Sequence, residues 1–163
     1  MKTILVVGYP KSGCTWIARL VAELIGCPVA GFWKSDKEEI AMEGKERVSE
    51  FAVYKSHHTF AELGMDPLRS EIRVIYVIRD PRDVAVSGAH HFHFKRFPTI
   101  ERFFSFSPRG GKLYRHTLYP LLAPERYRIG RMTEAVLRGA PELHQTLRIS
   151  WKAHSEEYRR AGG

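Results

Sequence analysis

The densest chemistry in the chain lies in Gly8-Tyr9-Pro10-Lys11-Ser12-Gly13-Cys14-Thr15-Trp16, where glycines, hydroxyls, a thiol and a cation follow the β-branched apolar run at residues 3–8. Beyond it Ile17, Leu20, Val21, Leu24 and Ile25 recur at helical spacing. A strand, a loop and a helix in that order bring backbone amides and the positive end of the helix dipole to one spot, and an anion belongs there. The Walker pattern would put a lysine directly after the second glycine. Here that position is Cys14 and the lysine stands earlier, at Lys11, so an ordinary ATP or GTP site is disfavoured. Two further segments carry charge and titratable protons: Tyr54-Lys55-Ser56-His57-His58, and Arg79 followed by Asp80-Pro81-Arg82-Asp83 and then Ser87.

The elements that must position these residues are legible from pattern. Gly26 and Pro28 stop the first helix. The Lys- and Glu-rich segment from Lys34 to Glu50 is expected to cover the surface, after which Phe51-Ala52-Val53-Tyr54 reads as a second strand ending at Lys55. Ile72 to Ile78 reads as the third strand, nearly all apolar and β-branched, as expected for one buried on both faces of a parallel sheet. Asp80-Pro81-Arg82-Asp83 is a helix start: Asp80 accepts from first-turn amides, Pro81 has the φ of a first helical position, and Asp83 adds favourable charge, so a helix from Pro81 to about His91 is predicted. Strands alternating with helices, without hairpin signals, give an α/β class with a central parallel sheet, helices on both faces and ligands at the carboxyl ends of the strands. The remainder is mostly helical. Leu143, Leu147 and Trp151 fall four apart after Pro141, which predicts one helix with a buried stripe running towards Tyr158 and ending at Ala161-Gly162-Gly163.

The run PKSGCTW, Pro10 to Trp16, closely resembles the PKSGTTW loop that binds the 5′-phosphosulfate of 3′-phosphoadenosine 5′-phosphosulfate (PAPS) in the sulfotransferases. Lys55-Ser56-His57 is similar to the Lys-Thr-His segment of the cytosolic-type members, and Val77 to Ser87 is similar to the segment that holds the 3′-phosphate. The resemblance implies a P-loop NTPase-like α/β fold and metal-independent transfer of a sulfuryl group from PAPS to a hydroxyl or amine, with adenosine 3′,5′-bisphosphate (PAP) as product. It implies that Lys11 meets the bridging oxygen of the leaving phosphate, that Ser12, Gly13, Cys14 and Thr15 cradle that phosphate, and that Trp16 stacks on adenine. By the same resemblance His57 is the base, Lys55 shares the charge on the sulfuryl oxygens, and Arg79 and Ser87 hold the 3′-phosphate. Each role suits its chemistry. A cation offsets charge growing on a leaving oxygen, an aromatic face pairs with a base, an imidazole titrates near neutrality, and a guanidinium fork fits phosphate. Cys14 departs from the usual Thr, and a thiol is a weak donor, so one contact is lost or passes to the backbone amide.

Plainer readings stand beside these. The first loop is also what a strand-to-helix turn with a core tryptophan and a surface lysine looks like, and a histidine at a strand end is more often structural than catalytic. Cys14 with Arg19 suggests a phosphatase loop, but the spacing is one residue short. Asp80 stands roughly where an ATP enzyme keeps its magnesium ligand, yet helix capping already accounts for it. His90, His91 and His93 lack a second ligand pair at metal-site spacing, so no metal is expected. By the resemblance Phe92, Phe94 and Phe97 border the acceptor pocket, whereas Phe103, Phe104 and Phe106 are as easily core; Arg126, Arg128, Arg131 and Arg138 read as a solvated helix face.

Composition sets the outer bounds. A chain of 163 residues predicts a single domain, and 44% hydrophobic with 27% charged residues excludes wholesale disorder and a disulfide-stapled miniprotein. Lys plus Arg (26) less Asp plus Glu (18) leaves +8, so the preferred partner is negative: a phosphorylated cofactor, an acidic substrate, nucleic acid or a membrane surface. Two cysteines, Cys14 and Cys27, read as reduced thiols, Ile4 to Val7 is too short for a signal-peptide core, and no stretch could span a bilayer, so a cytoplasmic protein is expected. The partner implied is a small-molecule acceptor rather than nucleic acid or a membrane. The resemblance is strong from about Ile4 to Phe94 and weak from Ser150 to Tyr158, where Ser-Trp-x-x-His is similar to a helix of the family's middle stretch. The late Arg-Lys-Gly segment of the family does not occur. The expectation is therefore a truncated or minimal member, or one whose site another chain completes in a homo-oligomer. The rivals are a P-loop kinase using ATP and magnesium, and a non-catalytic binder of PAP or nucleic acid.

Overall fold

The computed structural model describes residues 2–34, 43–64, 71–93, 104 and 107–162. Along the chain run β1 (Lys2–Gly8), α1 (Cys14–Ile25), β2 (Val29–Phe32), β3 (Phe51–Ser56), α2 (Phe60–Leu63), β4 (Ile72–Val77), α3 (Pro81–His91), α4 (Pro108–Leu113), a π-helical turn (Tyr114–Leu118), α5 (Tyr119–Leu122), α6 (Glu125–Arg138), a short 3-10 turn (Gln145–Leu147) and α7 (Trp151–Gly162). They form two compact units, Met1–Arg79 with Lys152–Gly163, and Asp80–Trp151.

The first unit is built on a four-stranded sheet of order β2-β3-β1-β4 with every neighbour parallel. Alternation along β1 sorts its side chains onto two faces. Ile4 and Val6 pack with Cys14, Ala18 and Ala22 of α1, while Leu5 and Val7 pack with Leu63 of α2 and Tyr158 of α7. Small residues at four-residue spacing let α1 lie close on its face. Helices thus cover both faces of a parallel α/β sheet, as expected. The register pairs Val7 with Ser56 and Gly8 with Val77, so the carboxyl ends of β1, β3 and β4 finish side by side.

Three details differ from expectation. β2 was not anticipated: four residues including Gly31, with a register shift between Val29 and Gly31, give too short a pattern to read. The apolar run of β4 suggested a strand buried on both faces. Among the described strands it is outermost, Arg73 and Val74 are exposed, and the buried strand is β1. Composition marks a strand as apolar but does not say whether neighbours flank it. The single helix through Leu143, Leu147 and Trp151 is also broken. Ala140 N–H donates to the Leu147 carbonyl, the His144 side chain accepts from Thr146 N–H, and α7 begins only at Trp151. Leu147 is buried by this fold-back rather than by a helical stripe.

In the second unit α3 starts as the sequence indicated, with Asp80 accepting from Arg82 N–H at 2.8 Å and Pro81 first in the helix. α3 packs on α6 so closely that a Cβ on Gly88 would lie 2.6 Å from Met132 Sδ. Of the predicted arginine face, Arg126 and Arg138 are exposed, whereas half-buried Arg128 donates to the Ala89 carbonyl at 3.4 Å.

Candidate active site

The first loop is shaped by backbone conformation. Lys11 has φ 71° and Gly13 φ 99°, with Ser12 N–H donating to the Tyr9 carbonyl at 3.0 Å between them. A left-handed conformation costs a β-carbon residue roughly 1–2 kcal/mol, and at Lys11 the loop is held from outside, because Arg79 Nη1 donates to the Lys11 carbonyl at 3.0 Å. Gly8 is required by close approach: a Cβ there would lie 2.7 Å from the Val77 carbonyl oxygen and 2.9 Å from Cys14 Sγ. The Ser12 hydroxyl is buried in the loop without a hydrogen-bond partner. A native structure rarely leaves such a donor unpaired, and an anion oxygen in the loop would satisfy it.

The end of β3 is stitched to this loop. His57 Nδ1 lies 2.8 Å from the Gly8 carbonyl oxygen. A carbonyl only accepts, so Nδ1 carries the proton and Nε2 holds the lone pair of the neutral ring. Lys55 Nζ lies 3.4 Å from Thr15 Oγ1 and 4.5 Å from the centre of the Phe32 ring. Burial, and then Arg79, pull the Lys11 pKa below the ordinary lysine value; burial, and then Arg19, do the same to Lys55. Arg19 itself is held in a bidentate pair with Glu43. Crowding of cations is what an anion site produces when the anion's charge is absent.

Lys11, Ser12, Gly13, Thr15, Lys55, His57 and Arg79 are therefore gathered at three adjacent strand ends. Trp16, in the first turn of α1, is 79% exposed, so it is a presented aromatic face and not a core residue. Cys14 turns the other way: its thiol lies in the core, and burial pushes its pKa up to about 12, leaving its backbone as what it can offer an anion. Ser87 is half-buried on α3, in the second unit. Phe92 sits at the end of α3 with its ring 5.5 Å from that of His144; Phe94, Phe97, Phe103 and Phe106 lie outside the described residues. His90, His91 and His93 have separate partners, in Glu125, Phe92 and Tyr119. Among the described residues no helix is long and apolar enough to cross a membrane.

Sequence reasoning missed a set of aromatic and imidazole groups beneath the site. His154 and Tyr158 of α7 reach Tyr76 of β4 and the carbonyls of His57 and His58. The available signal was the four-residue spacing of His154 and Tyr158, which puts both on one helical face.

Residues 1–118 match the sulfotransferase domain family, and the chain belongs to that family: it is a transferase of sulfuryl groups. No solved structure matches the chain at a significant level.

Proposed function

We propose that the protein transfers the sulfuryl group of PAPS to a hydroxyl or amine of a small-molecule acceptor, with His57 as general base and without a metal. The observation that carries this reading is the convergence of three strand ends joined by direct hydrogen bonds, from His57 to Gly8 and from Arg79 to Lys11. The buried, unpartnered Ser12 hydroxyl fits a 5′-phosphate in the loop, and exposed Trp16 fits a stacked adenine.

PAPS supplies an activated sulfuryl group, whose bond to the 5′-phosphate oxygen breaks as the acceptor oxygen or nitrogen bonds to sulfur. His57 Nε2 takes the proton the acceptor loses, while Nδ1–H stays on the Gly8 carbonyl and steadies the ring as it becomes cationic. Lys11 offsets the charge arriving on the leaving oxygen, and Lys55 that on the sulfuryl oxygens. Arg79 and Ser87 take the 3′-phosphate, the group that separates PAPS from ATP. A sulfuryl group carries less negative charge than a phosphoryl group, so lysines suffice where a kinase needs magnesium. The kinase alternative is further weakened because Asp80 is engaged with Arg82 N–H and the Arg82 guanidinium, which hold its carboxyl down at about 2. Free thiols at Cys14 and Cys27 suit a reducing compartment, and we place the protein in the cytoplasm.

Calorimetric titration tests the donor. PAP should bind, and ATP with magnesium should bind more weakly or not at all; tighter binding of magnesium ATP than of PAP would reject the reading.

A further inference from the structure

Beneath the strand ends lies a buried polar network that neither phosphate binding nor proton abstraction uses directly. α7 presents His154 and Tyr158, one turn apart and both buried. The Tyr158 hydroxyl donates to the His58 carbonyl at 2.8 Å. His154 Nε2 lies 3.4 Å from the His57 carbonyl, and its Nδ1 lies 2.8 Å from the Tyr76 hydroxyl. Because the carbonyl only accepts, Nε2 carries the proton and Nδ1 accepts from Tyr76. The ring is thus neutral, the state that its burial favours. Packing fixes it further. The Tyr76 and Tyr158 rings stack 4.3 Å apart, His154 stacks on both, and Tyr9 of the phosphate loop meets the His154 ring edge-on at 5.8 Å.

One helix therefore bears on the backbone of the base, on the residue after it and on the phosphate loop. This placement matters because β3 ends at Ser56, so the sheet ladder no longer holds the peptide units that follow. The carbonyls of His57 and His58 define those peptide planes. If they turn, the His57 ring leaves the Gly8 carbonyl and Nε2 swings away from its line of approach.

We propose that His154 and Tyr158 are positioning residues for the transfer reaction: by holding the carbonyls of His57 and His58 they fix the backbone from which the His57 ring reaches Gly8, keep that ring in its Nδ1–H tautomer, and so aim Nε2 at the acceptor. The proposal rests on the reading of His57 as base.

Three variants of the full chain test it. Tyr158→Phe deletes one hydroxyl and keeps the stacked ring. His154→Phe keeps packing and removes the donor, and His154→Gln returns an N–H close to the place of Nε2. The readouts are PAP affinity by calorimetry, initial rates of radiolabelled sulfate transfer from PAPS to the best acceptor in a panel of phenols and alcohols, and the ring-nitrogen NMR spectrum of His57. Tyr158→Phe and His154→Phe should hold PAP affinity within about twofold, lose kcat by about 10- to 100-fold at little change in acceptor KM, and show His57 as a mixture of tautomers. His154→Gln should keep most of kcat and one tautomer. Retention of the parent kcat or of the single Nδ1–H tautomer in both phenylalanine variants would overturn the proposal. So would a fall in PAP affinity in step with kcat, the mark of general structural damage. Should His154→Phe fail to fold, Tyr158→Phe carries the test alone. If His57→Ala leaves transfer intact, the assignment of the base has failed instead, and the His57 spectrum in Tyr158→Phe still decides whether α7 sets the tautomer.

Discussion

Replacing Gly8 by alanine probes the junction on which the site is built. The new methyl would meet the Val77 carbonyl oxygen at 2.7 Å, Cys14 Sγ at 2.9 Å and Val77 Cβ at 3.3 Å. None of these atoms is the end of a mobile side chain. Val77 is paired with Gly8 in the sheet and the Cys14 thiol is packed in the core, so relief requires β1 and β4 to separate or α1 to move. Overpacking of this kind costs about 1–3 kcal/mol, and the rigidity of all three neighbours favours the upper half of that range. Against it stands a gain of about 0.4–1 kcal/mol from stiffening the unfolded chain, which leaves a net loss of about 1–2 kcal/mol. At about 2–4 °C per kcal/mol for a chain of this size, the melting midpoint should fall by about 2–8 °C. The Gly8 carbonyl also receives the His57 ring, so PAP affinity and transfer rate should both fall. Gly130, where an added Cβ meets nothing within 4 Å and the backbone is helical, is the control: Gly130→Ala should stabilise by about 0.5–1 kcal/mol. Urea unfolding of the two variants beside the parent reads both signs. A Gly8→Ala protein as stable as the parent would refute the close approach of β1, β4 and α1.

Arg79→Ala removes the donor that secures the left-handed Lys11 and a cation assigned to the 3′-phosphate, so PAP affinity should fall by about 10- to 100-fold in a calorimetric titration, the cost of losing a charge-assisted hydrogen bond. Thr59→Ala opens the capping box with Glu62 just after His58, and a loss of about 1 kcal/mol is expected in denaturant unfolding. Burial is the main cause that lowers the His154 pKa, so below its ordinary value of 6.5 the unfolded chain takes up a proton that the folded chain resists, and stability contributed by this group is lost as pH falls through that range. His154→Phe should therefore flatten the acid side of the stability profile between pH 7.5 and pH 5 relative to the parent, and an unchanged slope in equilibrium unfolding would place the titration elsewhere.

How far the sequence could be read followed from the range of each signal. The β1–loop–α1 unit and the start of α3 were legible because their determinants are local: a β-branched run, Gly8 and Gly13, and Asp80 before Pro81. The gathering of Lys11, Lys55, His57 and Arg79 was legible because parallel strands must end on one side, and the sequence places each residue just past a strand end. What failed depended on non-local context. The exposure of β4 is a property of its place in the sheet, and the break before α7 comes from Ala140 meeting the Leu147 carbonyl. Cys14 read as a phosphate-loop side chain, but its orientation is decided by the space beside Gly8 and Val6, which no spacing rule reveals. The network from His154 to His57 links residues 97 positions apart, and only the fold brings them together.

The central claim is that one donor nucleotide lies across the three strand ends and that His57 takes the acceptor's proton. The most direct measurement is transfer of radiolabelled sulfate from PAPS to a broad panel of hydroxyl and amine acceptors by the parent chain, Lys11→Ala and His57→Ala, with folding checked by circular dichroism. Labelled product from the parent and none from either folded variant is the predicted result. Full activity in both variants, or PAP binding by the parent with no acceptor labelled, would contradict it.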